Sequence, residues 1–319
     1  MEIRRAAMIG LGSIGSYLAP GLEKALGHEN FMVIAGGSRK KRLETEGTTI
    51  NGVNYRFQVA DPEEAHEPVD LVMMIVKGPQ MEEAVRQLGC VVGENTILLS
   101  LMNGISSEEA LAEVYGWDRV IYGVTRVSIR MVDHKVEYDP SLGLISFGEA
   151  RNEAPYTPRI QAVADLFERA GIPYRVPEDM KRDMWLKYCG NLAENLPSAI
   201  IGNCYGAWKL SGHARELYRM VYGEAARVAC ACGVEITEQD LERQWKNVFG
   251  APFYNVPSTR QDIEQKRKTE VDLLAGNLIR LGEKHGIETP YCRWMYHAIG
   301  LLEEMNEGKI RPQEEQDKE

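Results

Sequence analysis

The stretch Arg5-Ala6-Ala7-Met8-Ile9-Gly10-Leu11-Gly12-Ser13-Ile14-Gly15 decides how this chain reads. A short strand-type run, Arg5 to Ile9, leads directly into Gly-x-Gly-x-x-Gly, and the motif opens a helix. In that setting the glycines make the tight turn and let backbone N–H groups face a pyrophosphate at the helix N-terminus. The same pattern standing alone would be only a Gly-rich turn. Its place at the head of a βαβ unit makes Gly10, Leu11, Gly12, Ser13, Ile14 and Gly15 candidate dinucleotide contacts.

Working outward, β-type runs alternate with amphipathic helical stretches: Phe31 to Ala35, Leu71 to Val76, Thr96 to Met102 and Val120 to Val124. That rhythm predicts an α/β domain of Rossmann type, a doubly wound and mostly parallel sheet covered on both faces. Two later runs, Ser128 to Val136 and Leu142 to Phe147, are separated by Asp139-Pro140-Ser141 and read as strands extending the same sheet. After about Pro177 the chain turns to long helical periodicity, with segments at Asp179 to Leu196, Ser211 to Cys232, Glu238 to Val248, Ser258 to His285 and Tyr291 to Met305. The expected division is therefore a dinucleotide-binding domain over 1–177 and an all-α domain over 178–319. Gly233, Gly250 and Gly286 stand where helix C-termini favour a residue tolerant of positive φ. The charge-dense acidic tail from Glu303 to Glu319 is expected to fray. There is no internal repeat.

Composition narrows the function classes. At 319 residues and 35.9 kDa, two domains of about 150 residues are expected. A hydrophobic share of 44% with 26% charged residues is globular and argues against disorder. The 37 Lys+Arg against 47 Asp+Glu give a net charge of −10, which disfavours a nucleic-acid surface. A small anionic substrate remains open if a local cluster of positive or hydrogen-bonding groups holds it. Apolar runs such as Leu71 to Val76 stop at six residues, against the roughly 20 that span a bilayer. No secretory apolar segment follows Arg4 and Arg5, so a cytoplasmic protein is expected. Six scattered cysteines (Cys90, Cys189, Cys204, Cys230, Cys232, Cys292) show no zinc-type CxxC pair and read as free thiols, Cys230 and Cys232 as small packing residues on a helix.

An NAD site normally closes its second strand with Asp or Glu, which accepts hydrogen bonds from the ribose 2′-hydroxyl. Here the strand runs into Gly36-Gly37-Ser38-Arg39-Lys40-Lys41-Arg42 with no acid. Four cations and a serine suit a 2′-phosphate, so NADP (as NADPH) is expected in preference to NAD, with Ser38 and Arg39 as contacts. Lys41 and Arg42 read equally well as a solvated helix face.

Further along, Lys187, Asn191 and Asn195 fall at about 0°, 40° and 80° around a helix, one polar stripe carrying a cation and two amides. Asn is a poor interior helix former, so two in one stripe need a reason, either a solvent face or a site. Ser258 with Gln261 has the form of a capping box that would start the long helix over 258–285. Asn103-Gly104, which by itself would be a turn, and Lys77 stand just past strand C-terminal ends, the edge where open α/β sheets bind ligands.

Five blocks taken in order resemble the ketopantoate reductases (2-dehydropantoate 2-reductases) over nearly the whole chain. They are the glycine motif, Val76-Lys77, Met102-Asn103-Gly104, Lys187 with Asn191 and Asn195, and Ser258-Thr259-Arg260-Gln261-Asp262 followed by Thr269-Glu270-Val271-Asp272. The resemblance implies NADPH-dependent reduction of a 2-keto acid, ketopantoate to (R)-pantoate, for pantothenate and coenzyme A synthesis. It implies that Lys187 donates the proton and that Glu270 lies near Lys187 and the nicotinamide ribose or substrate hydroxyl. It further implies that Asn103, Asn191, Asn195 and Ser258 hold substrate, that Asn103 and Lys77 also flank the cofactor, and that Ile129 offers a backbone contact to the nicotinamide region. A lysine ammonium can stabilise the developing oxyanion and then protonate it. Asp262 and Asp272 read as structural.

Three departures from the family pattern stand out. The family's Asn-Pro is Asn195-Leu196-Pro197 here, which displaces the expected helix break by one residue. A further family asparagine falls on Tyr205. The Gly36-Gly37 pair precedes the basic residues. They keep open a related D-2-hydroxyacid dehydrogenase acting on another branched or aromatic 2-keto acid, and a non-catalytic protein that senses NAD(P). A homodimer through the helical half is compatible with the frequency of symmetric pairs.

Overall fold

Strands made almost entirely of apolar residues sit where both faces of a sheet are covered, and four runs of this chain do so. The computed structural model describes residues 1–127, 129–132, 135–139 and 143–310. In chain order, β1 (Ala6–Ile9), α1 (Ser13–Leu26), β2 (Phe31–Ile34) and α2 (Gly37–Thr45) form the first βαβ unit. Three short strands follow, β3 (Thr48–Ile50), β4 (Val53–Tyr55) and β5 (Gln58–Ala60). Next come β6 (Leu71–Met74), α3 (Met81–Gln87), β7 (Ile97–Ser100) and α4 (Ser107–Tyr115). The sheet region closes with β8 (Val120–Val127), β9 (Arg130–Val132), β10 (Lys135–Glu137), β11 (Gly143–Gly148), α5 (Pro158–Ala170) and β12 (Tyr174–Arg175).

The main sheet has eight strands in the order β12-β11-β8-β7-β6-β1-β2-β5. Its pairs are parallel except β8 with β11. Every residue of β1, β2, β6 and β7 is buried. Because β1 lies between β2 and β6, the connections leave it in opposite directions. The crevice beyond its C-terminal end is the switch point where such sheets bind ligands.

Leu142 to Phe147 does extend this sheet, as β11, although Leu142 itself lies outside the described residues. The expectation for Ser128 to Val136 is corrected. Its described part forms β9 and β10, which join β3 and β4 in a separate four-stranded sheet ordered β4-β3-β10-β9. The cause is a hairpin at Asn51-Gly52, both with positive φ (46° and 79°), the two-residue turn that matches strand twist. That hairpin offers the β3 edge to β10. Ser128, Asp133, His134, Pro140, Ser141 and the tail 311–319, where fraying was expected, lie outside the described residues.

By its contacts the chain divides into Met1–Met184 and Trp185–Glu319, seven residues beyond the 177 suggested by composition and inside α6 (Met180–Ile201). In the first unit, Asp183 near the start of α6 is buried and accepts from Arg126 Nη1 at 2.8 Å and from Arg175 Nη2. The second unit continues with α7 (Tyr205–Leu210), α8 (Gly212–Ala231), α9 (Glu238–Gly250), α10 (Ser258–Glu264), α11 (Asn277–His285) and α12 (Pro290–Asn306). No helix among the described residues is long and apolar enough to cross a membrane.

Three helical expectations are corrected. First, α6 runs through Pro197 to Ile201 rather than breaking there. Ala193, Leu196, Ser198 and Ala199 around it are buried, and that packing offsets the roughly 3 kcal/mol of an interior proline. Second, the single helix expected over 258–285 is three pieces: α10, a π turn at Asp272–Gly276, and α11. Lys266 takes φ +52°, while Arg267 donates its N–H to the Asp262 carbonyl and its Nε to Asp262 Oδ1, both at 2.8 Å, locking the reversal. Third, Gly250 ends α9 with no positive φ, whereas Gly233 and Gly286 adopt the left-handed region as expected. All six cysteines are free.

Candidate active site

The nucleotide end is built from backbone. Gly10 has φ +102°, and a Cβ added there would stand 2.1 Å from the Ile75 carbonyl oxygen at the end of β6. A Cβ on Gly15 would stand 2.2 Å from the Gly10 carbonyl oxygen. Glycine is thus required twice to let α1, the β1 end and the β6 end approach. Gly12, the N-cap of α1, faces open space with nothing within 4 Å of an added Cβ, and the first turn carries no acidic residue. This is a cradle whose free N–H groups and positive helix end fit a dinucleotide pyrophosphate.

At the end of β2, Ser38 and Arg39 lie exposed in the first turn of α2. Sequence reasoning found no acid there, but the fold brings one in laterally. Asp61 directly follows β5, which pairs with β2, and accepts from Lys40 Nζ at 3.1 Å. The Glu63 N–H and Lys40 hold its carboxyl below the usual range. Lys40 is therefore committed to Asp61, whereas Ser38 and Arg39 stand exposed beside it. The signal for Asp61 was the register of a strand too short to be read.

Lys77 and Asn103 follow β6 and β7, neighbouring parallel strands, and so share the edge that carries Gly10. Lys77 is exposed and Asn103 half-buried. Behind the Asn103 loop runs a one-way hydrogen-bond chain. The Met102 N–H donates to Ser100 Oγ (3.4 Å), Ser100 Oγ to Ser107 Oγ (2.7 Å), and Ser107 Oγ to Glu108 Oε2 (3.0 Å). The Gly123 N–H approaches the other Glu108 oxygen at 3.4 Å. Glu108 is buried, and desolvation pushes its carboxyl up to about 7. Ile129 is half-buried between β8 and β9 and packs on the hydrophobic core.

In the second unit the site is built from side chains on α6. Lys187 and Asn191 are half-buried, and the Asn191 amide takes no protein partner among the described residues. Asn195 differs: it is 7% exposed, and its Oδ1 accepts from Ser258 Oγ, Thr259 N and Thr259 Oγ1, each at 3.1 Å. Its Nδ2 donates to the Asn191 carbonyl at 3.0 Å. Asn195 is thus the clasp that holds the start of α10 and the exposed Ser258 hydroxyl beside α6. The capping box expected at Ser258 does not form. The N-cap is Pro257, and Gln261 Nε2 donates to the Val256 carbonyl at 3.0 Å.

Glu270 is half-buried immediately before the π turn. Its flank is pinned because buried Glu303 of α12 accepts from Thr269 N (2.8 Å) and Thr269 Oγ1 (2.6 Å). Tyr188, the residue after Lys187, donates its hydroxyl to the Leu274 carbonyl at 2.5 Å inside the π turn. That bond joins the Lys187 segment of α6 to the segment opened by Glu270. A π turn releases a carbonyl from the helical ladder, and here a tyrosine takes it up. Asp262 and Asp272 pair with Arg267 and Arg280, in line with structural roles.

Sequence reasoning missed Glu194. At 100° per residue it falls about 20° from Lys187 on the side away from Asn191. Tyr205 donates its hydroxyl to Glu194 Oε2 at 2.5 Å, and desolvation pushes the Glu194 carboxyl up to about 7. The helical phase could have found it, but an acid on a helix reads first as solvent-facing.

Two family models match the chain: ketopantoate reductase PanE/ApbA over residues 6–152 and its C-terminal domain over 179–303. A 2-dehydropantoate 2-reductase of Aquifex aeolicus (strain VF5) is 28% identical, with 95% of this chain and 98% of that one covered. Among solved structures, a D-mandelate dehydrogenase with NADH and anilino(oxo)acetate superposes with a TM-score of 0.85 at 20% identity, covering 95% of this chain and 99% of that one. A dimeric ketopantoate reductase from Staphylococcus aureus gives 0.79 at 19%, with the same coverage. The glycine cradle fits a nicotinamide dinucleotide, the family models span most of both units, and the chain belongs to the ketopantoate reductase family of nicotinamide-dependent oxidoreductases.

Proposed function

We propose that this chain reduces 2-dehydropantoate to (R)-pantoate with NADPH. The observation that carries the reading is the Tyr188 bond to Leu274, which ties the segment bearing Lys187 to the one bearing Glu270. The nicotinamide, when bound, supplies the hydride to the keto carbon. Charge then gathers on the carbonyl oxygen, and the Lys187 ammonium stabilises it and delivers the proton. A nearby carboxylate, Glu270, favours the charged form of that lysine and so keeps it a proton donor. Asn191, Ser258 and Asn103 are proposed to orient the substrate, with Asn195 supporting Ser258. Gly10 to Gly15, Lys77 and Ile129 are proposed to line the cofactor, and Ser38 and Arg39 to take its 2′-phosphate.

The required outcome is oxidation of NADPH by the purified protein with 2-dehydropantoate. Lys187→Ala should lower kcat by about 10²- to 10⁴-fold with an unchanged circular dichroism spectrum. Turnover below that on other 2-keto acids rejects the substrate. Arg39→Ala should raise KM for NADPH about 10-fold and leave KM for NADH unchanged, as expected for loss of one charge-assisted phosphate contact; equal effects on both cofactors reject the NADP assignment. A second reading, a dehydrogenase of another 2-keto acid, draws on Tyr205 and on the fold match to D-mandelate dehydrogenase. A cytoplasmic homodimer is proposed from the six free thiols and the dimeric relative, and sedimentation would test the dimer.

A further inference from the structure

On α6 the two asparagines do different things. Asn195 accepts three hydrogen bonds on its one carbonyl oxygen and donates to Asn191, which exhausts most of its capacity inside the protein. Glu194, at about −20° from Lys187, flanks the lysine on the side opposite Asn195 and still lies within about 60° of Asn191 on the helix surface. One of its oxygens is fixed by the Tyr205 hydroxyl; the other takes no protein partner among the described residues, and the half-buried side chain leaves it open to a ligand. Around this pair stand buried groups that reinforce its polarity. Among the described residues the Tyr218 hydroxyl and Trp208 Nε1 have no hydrogen-bond partner, and their rings lie 6.1 Å apart, edge to face.

Above about pH 7, where Glu194 is ionised, its second oxygen accepts and does not donate, so what it recognises is a hydroxyl or amine. The axial rise from Lys187 to Glu194 is about 10 Å, and both side chains lean toward the helix N-terminus, which preserves the spacing. A hydrogen bond of about 2.8 Å at each end leaves about 5 Å between the keto oxygen and the recognised group. That is the extended span from a keto oxygen to a hydroxyl two carbons beyond the keto carbon.

We propose that Glu194, held by Tyr205, is a specificity-determining residue that selects 2-keto acids bearing a hydrogen-bond donor two carbons beyond the keto carbon. This rests on the reductase reading above. Tyr205 is then the anchor that aims the carboxylate, and the apolar or aryl 2-keto acids are disfavoured because they leave the buried oxygen unpaired.

The test is kcat/KM with NADPH for 2-dehydropantoate and for the same acid with its hydroxyl replaced by hydrogen, measured on the wild type, Glu194→Gln, Glu194→Leu and Tyr205→Phe. The wild type should prefer the hydroxylated acid by about 10- to 100-fold. Glu194→Leu should bring the ratio close to 1 by slowing the hydroxylated substrate alone, and Glu194→Gln should keep part of the preference because an amide oxygen still accepts. Tyr205→Phe, which leaves the carboxyl in place, should give an intermediate ratio and covers the case in which the leucine variant misfolds. An unchanged ratio in the folded variants or an equal loss on both substrates overturns the proposal while leaving the reductase reading standing; a wild type faster on an aryl keto acid without a donor overturns both the proposal and the 2-dehydropantoate assignment. No turnover on any 2-keto acid removes the reductase reading itself, and this proposal with it.

Discussion

The candidate regions of the two units are made of different material. In the first unit the cradle is main chain: Gly10 and Gly15 matter for the atoms they lack, and the groups proposed to face a dinucleotide are the N–H donors at the start of α1. In the second unit the site is side chain: Lys187, Asn191 and Glu194 project from one helix, and what each can offer depends on what its neighbours have already taken. A backbone site is specified by a local motif and tolerates little local change. A side-chain site is specified by tertiary partners, so equal residues in one stripe can have unequal roles.

The sharpest way to break this comparison is to add one carbon to the cradle. In Gly10→Ala, the new Cβ would meet the Ile75 carbonyl at 2.1 Å on a backbone with φ +102°, and backbone on both sides leaves no flexible group to yield. The expected loss is about 4 kcal/mol or more of stability, with no dinucleotide binding in whatever fraction folds. Thermal melts with and without NADPH check it. Gly12→Ala, where an added Cβ meets nothing, should keep the melting temperature and weaken only the cofactor-induced rise. Equal melting temperatures for the two variants would show that the turn is not held by backbone contact.

The same division accounts for what was legible beforehand. The glycine motif and the four buried strands were readable because each is a local run: apolar residues without alternation, then a turn only glycine fits. The Asn51-Gly52 hairpin was equally local and carried its own turn signal, but β3 and β4 are three residues each, too short for an alternation to stand out. The break after α10 was not legible, since no Gly or Pro marks it. It exists because Asp262 accepts twice from Arg267 and Glu303 of α12 reaches Thr269, contacts that only the folded chain makes. Pro197 misled in the opposite sense, for its local cost is outweighed by burial. Among site residues, Lys187, Asn191 and Glu270 could be picked by pattern and resemblance. Glu194 carried only its helical phase as a signal, and nothing else local distinguishes an acid aimed at Tyr205 from one aimed at water.

A smaller effect sharpens the contrast within α6. Asn195→Ala would leave Ser258 Oγ, Thr259 N and Thr259 Oγ1 without their acceptor, two of them on buried Thr259. About 3 kcal/mol of stability should be lost, with kcat/KM falling because Ser258 is displaced. Asn191→Ala, which removes an amide with no protein partner among the described residues, should unfold at the wild-type denaturant concentration and show a raised KM. Urea midpoints and KM for the two variants decide between them. Matching stabilities would mean the Asn195 clasp contributes little.

The smallest expected effect returns to the first unit, where one part of the site is not main chain. Glu108 terminates the chain Met102 N–H, Ser100, Ser107, and its carboxyl sits at about 7 in the fold against 4.5 when free in the unfolded chain. Between those values the native state holds more protons than the unfolded state, so stability falls as pH rises through that window. Its contribution is complete below about 4.5 and gone above about 7. Tyr122 on β8 and Glu109 on α4 share this neighbourhood; Tyr122 stays protonated here, its hydroxyl pushed up to about 12, and Glu109 adds to the raised carboxyl. The expected slope from this one group is about 2 kcal/mol across the window, after allowing for local relaxation. Glu108→Gln should flatten that segment of the stability curve relative to the wild type, as read from urea midpoints at pH 5, 6, 7 and 8. If the two curves run parallel, Glu108 is ionised throughout, and the direction of the hydroxyl chain behind Asn103 must then be fixed by something other than its burial.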